Sequence, residues 1–176
     1  MRAVDVGDLQ RELAARGLDW CLVGGWGVDA LLGEQTRPHK DLDVLIPLQS
    51  VDGILSLLAD QGFRLAHLWE ENRFLDGNHR LVGEPLPSAF VLDHDDGRQV
   101  DAHVYETRRE KIVNLWETER VLHPGDLAVT GIVDGIAVRC MSAETQLVCH
   151  QGYELPQAHA EDVRRLQRFV GSAPVA

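Results

Sequence analysis

Residues 21–46 read CLVGGWGVDALLGEQTRPHKDLDVLI, and this stretch decides the fold. A short apolar run, "WCLV" at 20–23, predicts a buried strand. Gly24-Gly25 predicts a turn, and Trp26 to Gly33 a short helix closed by a glycine cap. Pro38 bars a helix from the polar loop 34–40. "DLDVLI", Asp41 to Ile46, then alternates as a strand, with Pro47 at its end. Successive strand residues face opposite sides, so Asp41, Asp43 and Leu45 share one face and Leu42, Val44 and Ile46 the other. Two carboxylates side by side in an apolar strand repel each other unless a cation joins them.

The same period-counting extends outward. Val6, Leu9 and Leu13 predict an amphipathic helix over 6–15, stopped by Gly17. Ser50 to Gln61 predicts a second, with Ile54, Leu55, Leu57 and Leu58 inward and Gly62 closing it. Strand expectations follow at 63–68, in a hairpin of "RFLD" and "HRLV" about Gly77-Asn78, and in a hairpin of "AFVL" and "RQVDAHVY" about Asp96-Gly97. Past Glu106 the charged stretch reads as helical, with Trp116 and Ile112 on one stripe. "GIV-DG-IAVRC" is a further hairpin, and helices are expected after Ser142 and over 159–170. "APVA" reads as a frayed end. The order predicts an α+β domain: a mixed sheet with helices on one side plus C-terminal helices, the core over 1–107 and a C-terminal hairpin and helical segment over 108–176 packing on the same domain.

The chain has 176 residues, 44% hydrophobic and 26% charged, and a formal net charge of −11. That balance argues against a phosphate-driven nucleic-acid binder, and no apolar run is long enough for a membrane span. Three cysteines without a CxxC pair and no apolar leader predict a reduced, cytoplasmic protein.

Three features add chemistry to the aspartate pair. Gly24 and Gly25, between a buried strand and a helix start, suit a phosphate cradle of main-chain N–H groups. Arg37, His39 and Lys40 bring positive charge just before the aspartates. Asp101, in "QVDAHVY", is a third strand-borne carboxylate, with Gln99 and His103 on its face. Oxygen ligands of this kind suit Mg²⁺, and a third carboxylate can complete the site or take a proton from an attacking hydroxyl. Trp26 reads first as core and second as a stack for adenine or acceptor. Asp29 reads as a structural cap or a partner for Arg37, and His159 and Asp162 as a structural pair on one helix face.

These residues resemble the signature of the nucleotidyltransferase superfamily, the fold of the catalytic domain of DNA polymerase β. Within it, "GGWGVD-LLG-QTR-H-D-D" is most similar to the small antibiotic adenylyltransferases, the lincosamide nucleotidyltransferases and the aminoglycoside 2″-nucleotidyltransferases. "VDAHVY" and "HQGYELPQAHAEDVRRL" are similar to the lincosamide enzymes, and the resemblance spans 13–166. Many superfamily members carry serine where Gly25 stands; the antibiotic enzymes share the glycine pair. The resemblance implies a polymerase β-like nucleotidyltransferase fold and transfer of AMP from ATP to a hydroxyl of a small antibiotic, lincosamide first and aminoglycoside second, giving resistance. Asp41, Asp43 and Asp101 would hold two Mg²⁺ ions, with Asp101 also the general base. Gly24, Gly25, Trp26, Arg37 and Lys40 would meet the nucleotide, and His103 the acceptor. A homodimer that completes the site is a further expectation. Two other readings keep the fold: an antitoxin-type enzyme that adenylylates a protein partner, and a nucleotide-binding module without turnover.

Overall fold

A computed structural model describes residues 1–81, 84–109, 111–115, 121–122, 127–152 and 154–172, with 76–81, 84 and 121–122 described as backbone only. Helix α1 (Ala3–Ala15) lays Val6, Leu9 and Leu13 into the core. Its first turn is closed by Asp5, which accepts from the Arg2 main-chain N–H and guanidinium. Strand β1 is only Cys21–Leu22. Helix α2 (Gly24–Leu32) follows at once and ends on Gly33 at φ 73°. The glycine pair is therefore the first turn of a helix and not a separate turn, a correction to the sequence reading.

Strand β2 (Leu42–Pro47) begins one residue after Asp41. Helix α3 (Val51–Asp60) buries Ile54, Leu55, Leu57 and Leu58 as the period requires. Ser50 stands at its N-cap but makes no side-chain cap; a 3-10 turn over Leu48–Ser50 leads in instead. Strands β3 (Arg64–Leu68), β6 (Ala89–Asp93) and β7 (Gln99–Arg108) build the far side of the sheet. The β6–β7 hairpin turns through Gly97 at φ 89°, as Asp-Gly predicts.

Two stretches differ from expectation. β4 (Phe74–Leu81) runs straight through Gly77-Asn78 and pairs with β5 (Glu84–Pro87), its register slipping between Leu75 and Arg80. Gly77-Asn78 is thus not a turn, and the irregularity at the middle of β4 absorbs the glycine. The stretch past Glu106 is not helical: β7 continues to Arg108, Arg109 turns at φ 47°, and β8 (Lys111–Asn114) returns antiparallel. β-branched Ile112 and Val113 favour the strand, and Val113 and Leu115 are buried. Trp116 and the terminal "APVA" lie outside the described residues. β9 (Val121–Leu122) pairs with β8.

The hairpin β10 (Ala128–Val133) and β11 (Ile136–Met141) turns through Asp134 and Gly135, both at positive φ. The main sheet has the order β10-β11-β1-β2-β7-β6-β3, parallel at β11–β1 and β2–β7 and antiparallel elsewhere along that path. A boundary at 107 therefore falls inside β7, and the C-terminal hairpin belongs to the same sheet. The largest core cluster joins α1, α2 and α3 to one sheet face through Leu42, Val44, Ile46, Val100, Ala102 and Val104. Two C-terminal helices, α4 (Ala143–Cys149) and α5 (Gln157–Ser172), pack on α2 through Val28, Ala143 and Leu166. Ser142 caps α4 by accepting from the Thr145 N–H at 3.3 Å. No helix among the described residues is long and apolar enough to cross a membrane.

Candidate active site

Parallel pairing of β2 with β7 sets Asp43 directly beside Asp101 and Leu45 beside His103. Neighbouring strands lie about 4.8 Å apart, and residues in register point to the same face. The alternation that buries Val44 and Ala102 under the helices thus turns both carboxylates to the opposite face. Asp41 precedes β2 by one residue and lines the same cleft as Asp43.

The start of α2 closes on this pair. Gly24 has φ 56°, a left-handed backbone that favours glycine. A side chain there would also overlap the Asp43 carboxylate, whose Cγ would lie 2.9 Å from the added carbon. Val23, at the N-cap, makes no side-chain cap, so the first main-chain N–H groups of the helix are left without a capping side chain at its positive end. Its own N–H donates to the Asp43 carbonyl at 3.0 Å, tying helix start to strand.

Behind Gly25 stand two clamped side chains. A Cβ on Gly25 would meet His39 Cε1 at 2.5 Å and Arg37 Nη2 at 2.6 Å, so both pack over its α-carbon. Buried His39 holds Asp29 through Nε2 at 2.5 Å, and Asp29 also accepts from the Thr36 hydroxyl at 2.6 Å and main-chain N–H at 3.0 Å. Arg37 donates through Nη2 to buried Asp162 of α5 at 2.8 Å. The partners are exchanged relative to the sequence reading: Asp29 serves His39 and Thr36, and Asp162 serves Arg37, not His159. Lys40 is exposed at the cleft, and among the described residues it forms no ion pair.

Gly24, Gly25, Arg37, His39, Lys40, Asp41, Asp43 and Asp162 line a cleft of about 450 Å³, together with His103, His150 at the end of α4, and His159 of α5. Trp26 is 1% exposed and sits in the core with its ring 4.7 Å from that of His39, which leaves it no face for an adenine. The electrostatics follow from crowding. Burial, reinforced by Asp41 and Asp101, pushes Asp43 up to about 7, while Arg37 opposes the rise. Burial also raises Asp101, against the Trp69 indole N–H and His103, which favour its charged form. Burial lowers His103, and Asp101 acts against that. His103 Nδ1 lies 3.8 Å from Asp101 Oδ1.

One contact was missed by sequence reasoning. The Trp69 indole N–H donates to Asp101 Oδ1 at 2.9 Å. Trp69 follows β3 in a segment without motif or period, and no local signal ties it to a residue 32 positions away. The place of His150 and His159 in the cleft comes from the packing of α4 and α5 on α2.

Among the described residues, no three His, Cys, Asp or Glu side chains form a self-sufficient metal cage. The donor set still fits Mg²⁺, which takes one or two carboxylates and completes its shell with water and substrate phosphates. Burial first, and then the acidic neighbours, disfavour the charged form of Asp43, and a cation at this position would relieve both.

A mixed sheet with aspartates on its central strands, facing the glycine-led start of a helix, defines a nucleotidyltransferase. Comparison with known proteins narrows the class. The family model for aminoglycoside-2″-adenylyltransferase matches residues 5–166, so the chain belongs to that family. A lincosamide resistance protein from Staphylococcus haemolyticus is 27% identical over 149 residues, 83% of this chain and 82% of the relative. Two solved structures share the fold. The lincosamide antibiotic adenylyltransferase LnuA, lincomycin-bound, aligns with TM-score 0.71 at 23% identity over 93% of this chain and 95% of its own. ANT(2″)-Ia, in complex with adenylyl-2″-tobramycin, aligns with TM-score 0.72 at 19% identity over 97% and 90%.

Proposed function

We propose that this enzyme transfers AMP from ATP to a hydroxyl of a small antibiotic, a lincosamide first and an aminoglycoside second, and so confers resistance in the cytoplasm, where ATP is made and used. The observation that carries the reading is the in-register pair Asp43–Asp101 facing the uncapped start of α2. Main-chain N–H groups of Gly24 and Gly25 bind the triphosphate at the positive helix end. Lys40 adds mobile positive charge, and Arg37, held by Asp162, adds fixed positive charge. Asp41, Asp43 and Asp101 would hold two Mg²⁺ ions. When bound, the metal neutralises the triphosphate and stabilises the attacking and leaving oxygens.

Asp101 takes the acceptor proton. As the hydroxyl oxygen bonds to the α-phosphorus, the bond from that phosphorus to the bridging oxygen breaks, and pyrophosphate departs with the electron pair. His103, with Nδ1 3.8 Å from Asp101, orients the incoming hydroxyl. Catalysis of this type asks for positioning and charge neutralisation more than covalent chemistry.

The test is mass spectrometry of lincomycin, clindamycin, kanamycin, gentamicin and tobramycin after incubation with the protein, ATP and Mg²⁺. One added AMP on a lincosamide supports the reading in full, and one on an aminoglycoside reverses the order of the two classes. No added AMP on any of the five, with ATP binding verified, overturns the antibiotic reading.

A further inference from the structure

The two oxygens of Asp101 are not equivalent. Oδ1 accepts from the Trp69 indole at 2.9 Å and faces His103 Nδ1 at 3.8 Å. Among the described residues, no hydrogen bond reaches Oδ2. A carboxylate turns about a soft torsion, so one directed bond to one oxygen fixes where the other stands. Trp69 therefore sets the direction in which Asp101 offers its free oxygen.

The rest of the indole is available. Trp69 is 37% exposed, a large apolar body with its polar tip spent on Asp101. His67, two residues back on β3, meets it edge-on with centroids 5.1 Å apart, which fixes the ring plane. Glu71, two residues ahead, is near enough to bear on His103. His67, Trp69, Glu71, Asp101 and His103 thus bring an aromatic face, acidic groups and hydrogen-bonding groups to one side of the proposed base. An aromatic face flanked by carboxylates suits a saturated ring that carries hydroxyl groups and a cationic amine: the ring's C–H groups meet the negative π-face, and the amine meets the acids.

We propose that Trp69 is a positioning residue that couples acceptor binding to the base: its N–H aims Asp101, and its exposed face receives the hydroxylated, amine-bearing ring of the acceptor. This deepens the adenylyl-transfer reading and rests on it. An acceptor ring lying on the indole immobilises the donor that orients Asp101, so the base is best aimed when the acceptor is present. The exchange of atoms is unchanged: the acceptor proton goes to Asp101 Oδ2 as the new P–O bond forms and pyrophosphate leaves.

The test uses the full chain and two substitutions, with lincomycin and tobramycin as probes. Trp69→Phe keeps an aromatic face and removes the donor; Trp69→Ala removes both. The expected result is a split. Trp69→Phe lowers kcat about tenfold, the range for losing a hydrogen bond to a charged group. The KM values for ATP and acceptor stay within about threefold. Trp69→Ala lowers kcat as far and raises the acceptor KM about tenfold, with ATP KM unchanged. A kcat for Trp69→Phe within twofold of wild type overturns the proposal, as does a rise in ATP KM equal to the fall in kcat.

A second readout needs no turnover. The Trp69 indole N–H resonance, assigned by its loss in Trp69→Phe, should shift in Asp101→Asn and again on titration with the acceptor probe. An indole resonance indifferent to both overturns the proposal even in an active enzyme. Absence of AMP transfer by the wild type, with the indole resonance responding to both, retires the adenylyl-transfer reading and leaves the Trp69–Asp101 link standing.

Discussion

The two sides of the Asp43–Asp101 pair are built on different plans. The proposed nucleotide wall comes from one continuous stretch, Gly24 to Asp43, and most of its polar side chains are already engaged. His39 is held by Asp29, Arg37 by Asp162, and the helix start by the Asp43 carbonyl. The proposed acceptor wall is gathered from β3, the turn after it, and β7, and is more exposed, with Trp69 bridging two of those segments. A wall that meets the same triphosphate in every turnover gains from rigidity. A wall that must fit one acceptor rather than another is where a fold of this kind is free to change. The strand pair Asp43–Asp101 is the seam between them.

The seam should be the most sensitive point. Asp101→Ala removes the proton acceptor while leaving the α2 start and Arg37 in place. We expect kcat to fall at least about a thousandfold, roughly 4 kcal/mol of barrier, with ATP affinity by calorimetry within a few-fold of wild type. Transfer that survives the substitution would remove Asp101 from the base role. Loss of ATP binding in parallel would mean that the two walls are not separable at this residue.

Crowding at the seam has a stability signature. Asp43 titrates near 7 in the folded chain because of burial and its acidic neighbours; in the unfolded chain it should titrate near 4. Between those values the folded state holds a proton that the unfolded state has lost. Stability from this group is therefore fully present below about pH 4, falls as pH rises, and is gone above about 7. In metal-free buffer, Asp43→Asn should melt like the wild type at pH 4.5 and be more stable at pH 8, by on the order of 2 kcal/mol. Adding Mg²⁺ and ATP should narrow the gap by stabilising the wild type. A stability difference that does not vary with pH would break the claim that the aspartates repel at the seam.

The nucleotide wall can be loosened from behind. Asp162→Ala deletes the buried partner of Arg37, which is itself partly exposed, so the cost stays below that of a fully buried pair. A loss of about 1–2 kcal/mol in urea unfolding is expected. ATP KM should rise about fivefold and acceptor KM should hold, since α5 braces Arg37 and not Trp69. A rise confined to acceptor KM would place α5 on the other wall.

The contrast between walls also explains what the sequence made legible. Alternation over 41–46 set Asp41 and Asp43 on one face of their strand, and alternation over 99–105 set Asp101 and His103 on one face of theirs, because strand period is local and survives folding; the parallel pairing that joins the two faces is not local. The two Asp-Gly hairpins were readable for the same reason: their turn chemistry is contained in adjacent residues. Gly24-Gly25 misled, since glycines that read as a turn are here demanded by the close approach of Asp43, His39 and Arg37. The stretch past Glu106 misled because its charge and the Ile112–Trp116 spacing read as a helix, while burial of Val113 and Leu115 decides for a strand. The links Arg37–Asp162 and Trp69–Asp101 were invisible, being made between segments far apart in the chain, and they brace the nucleotide wall and orient the seam.

Lys40 offers the mildest test of the difference. It lies in the nucleotide stretch yet differs from Arg37 in that, among the described residues, no ion pair holds it, and its side chain is exposed beside Asp41. An exposed ammonium acts as a screened point charge, so its contribution to triphosphate binding is modest and depends on salt. Lys40→Ala should raise ATP KM about three- to fivefold at low ionic strength, and the difference should shrink toward twofold in 0.3 M salt as the Debye length falls below the reach of the side chain. Arg37→Ala, which also releases Asp162, should keep most of its defect at the same salt. If both substitutions lose their effect together, the clamp on Arg37 contributes nothing that a free surface charge would not, and the rigidity assigned to the nucleotide wall would have to rest on the α2 start alone.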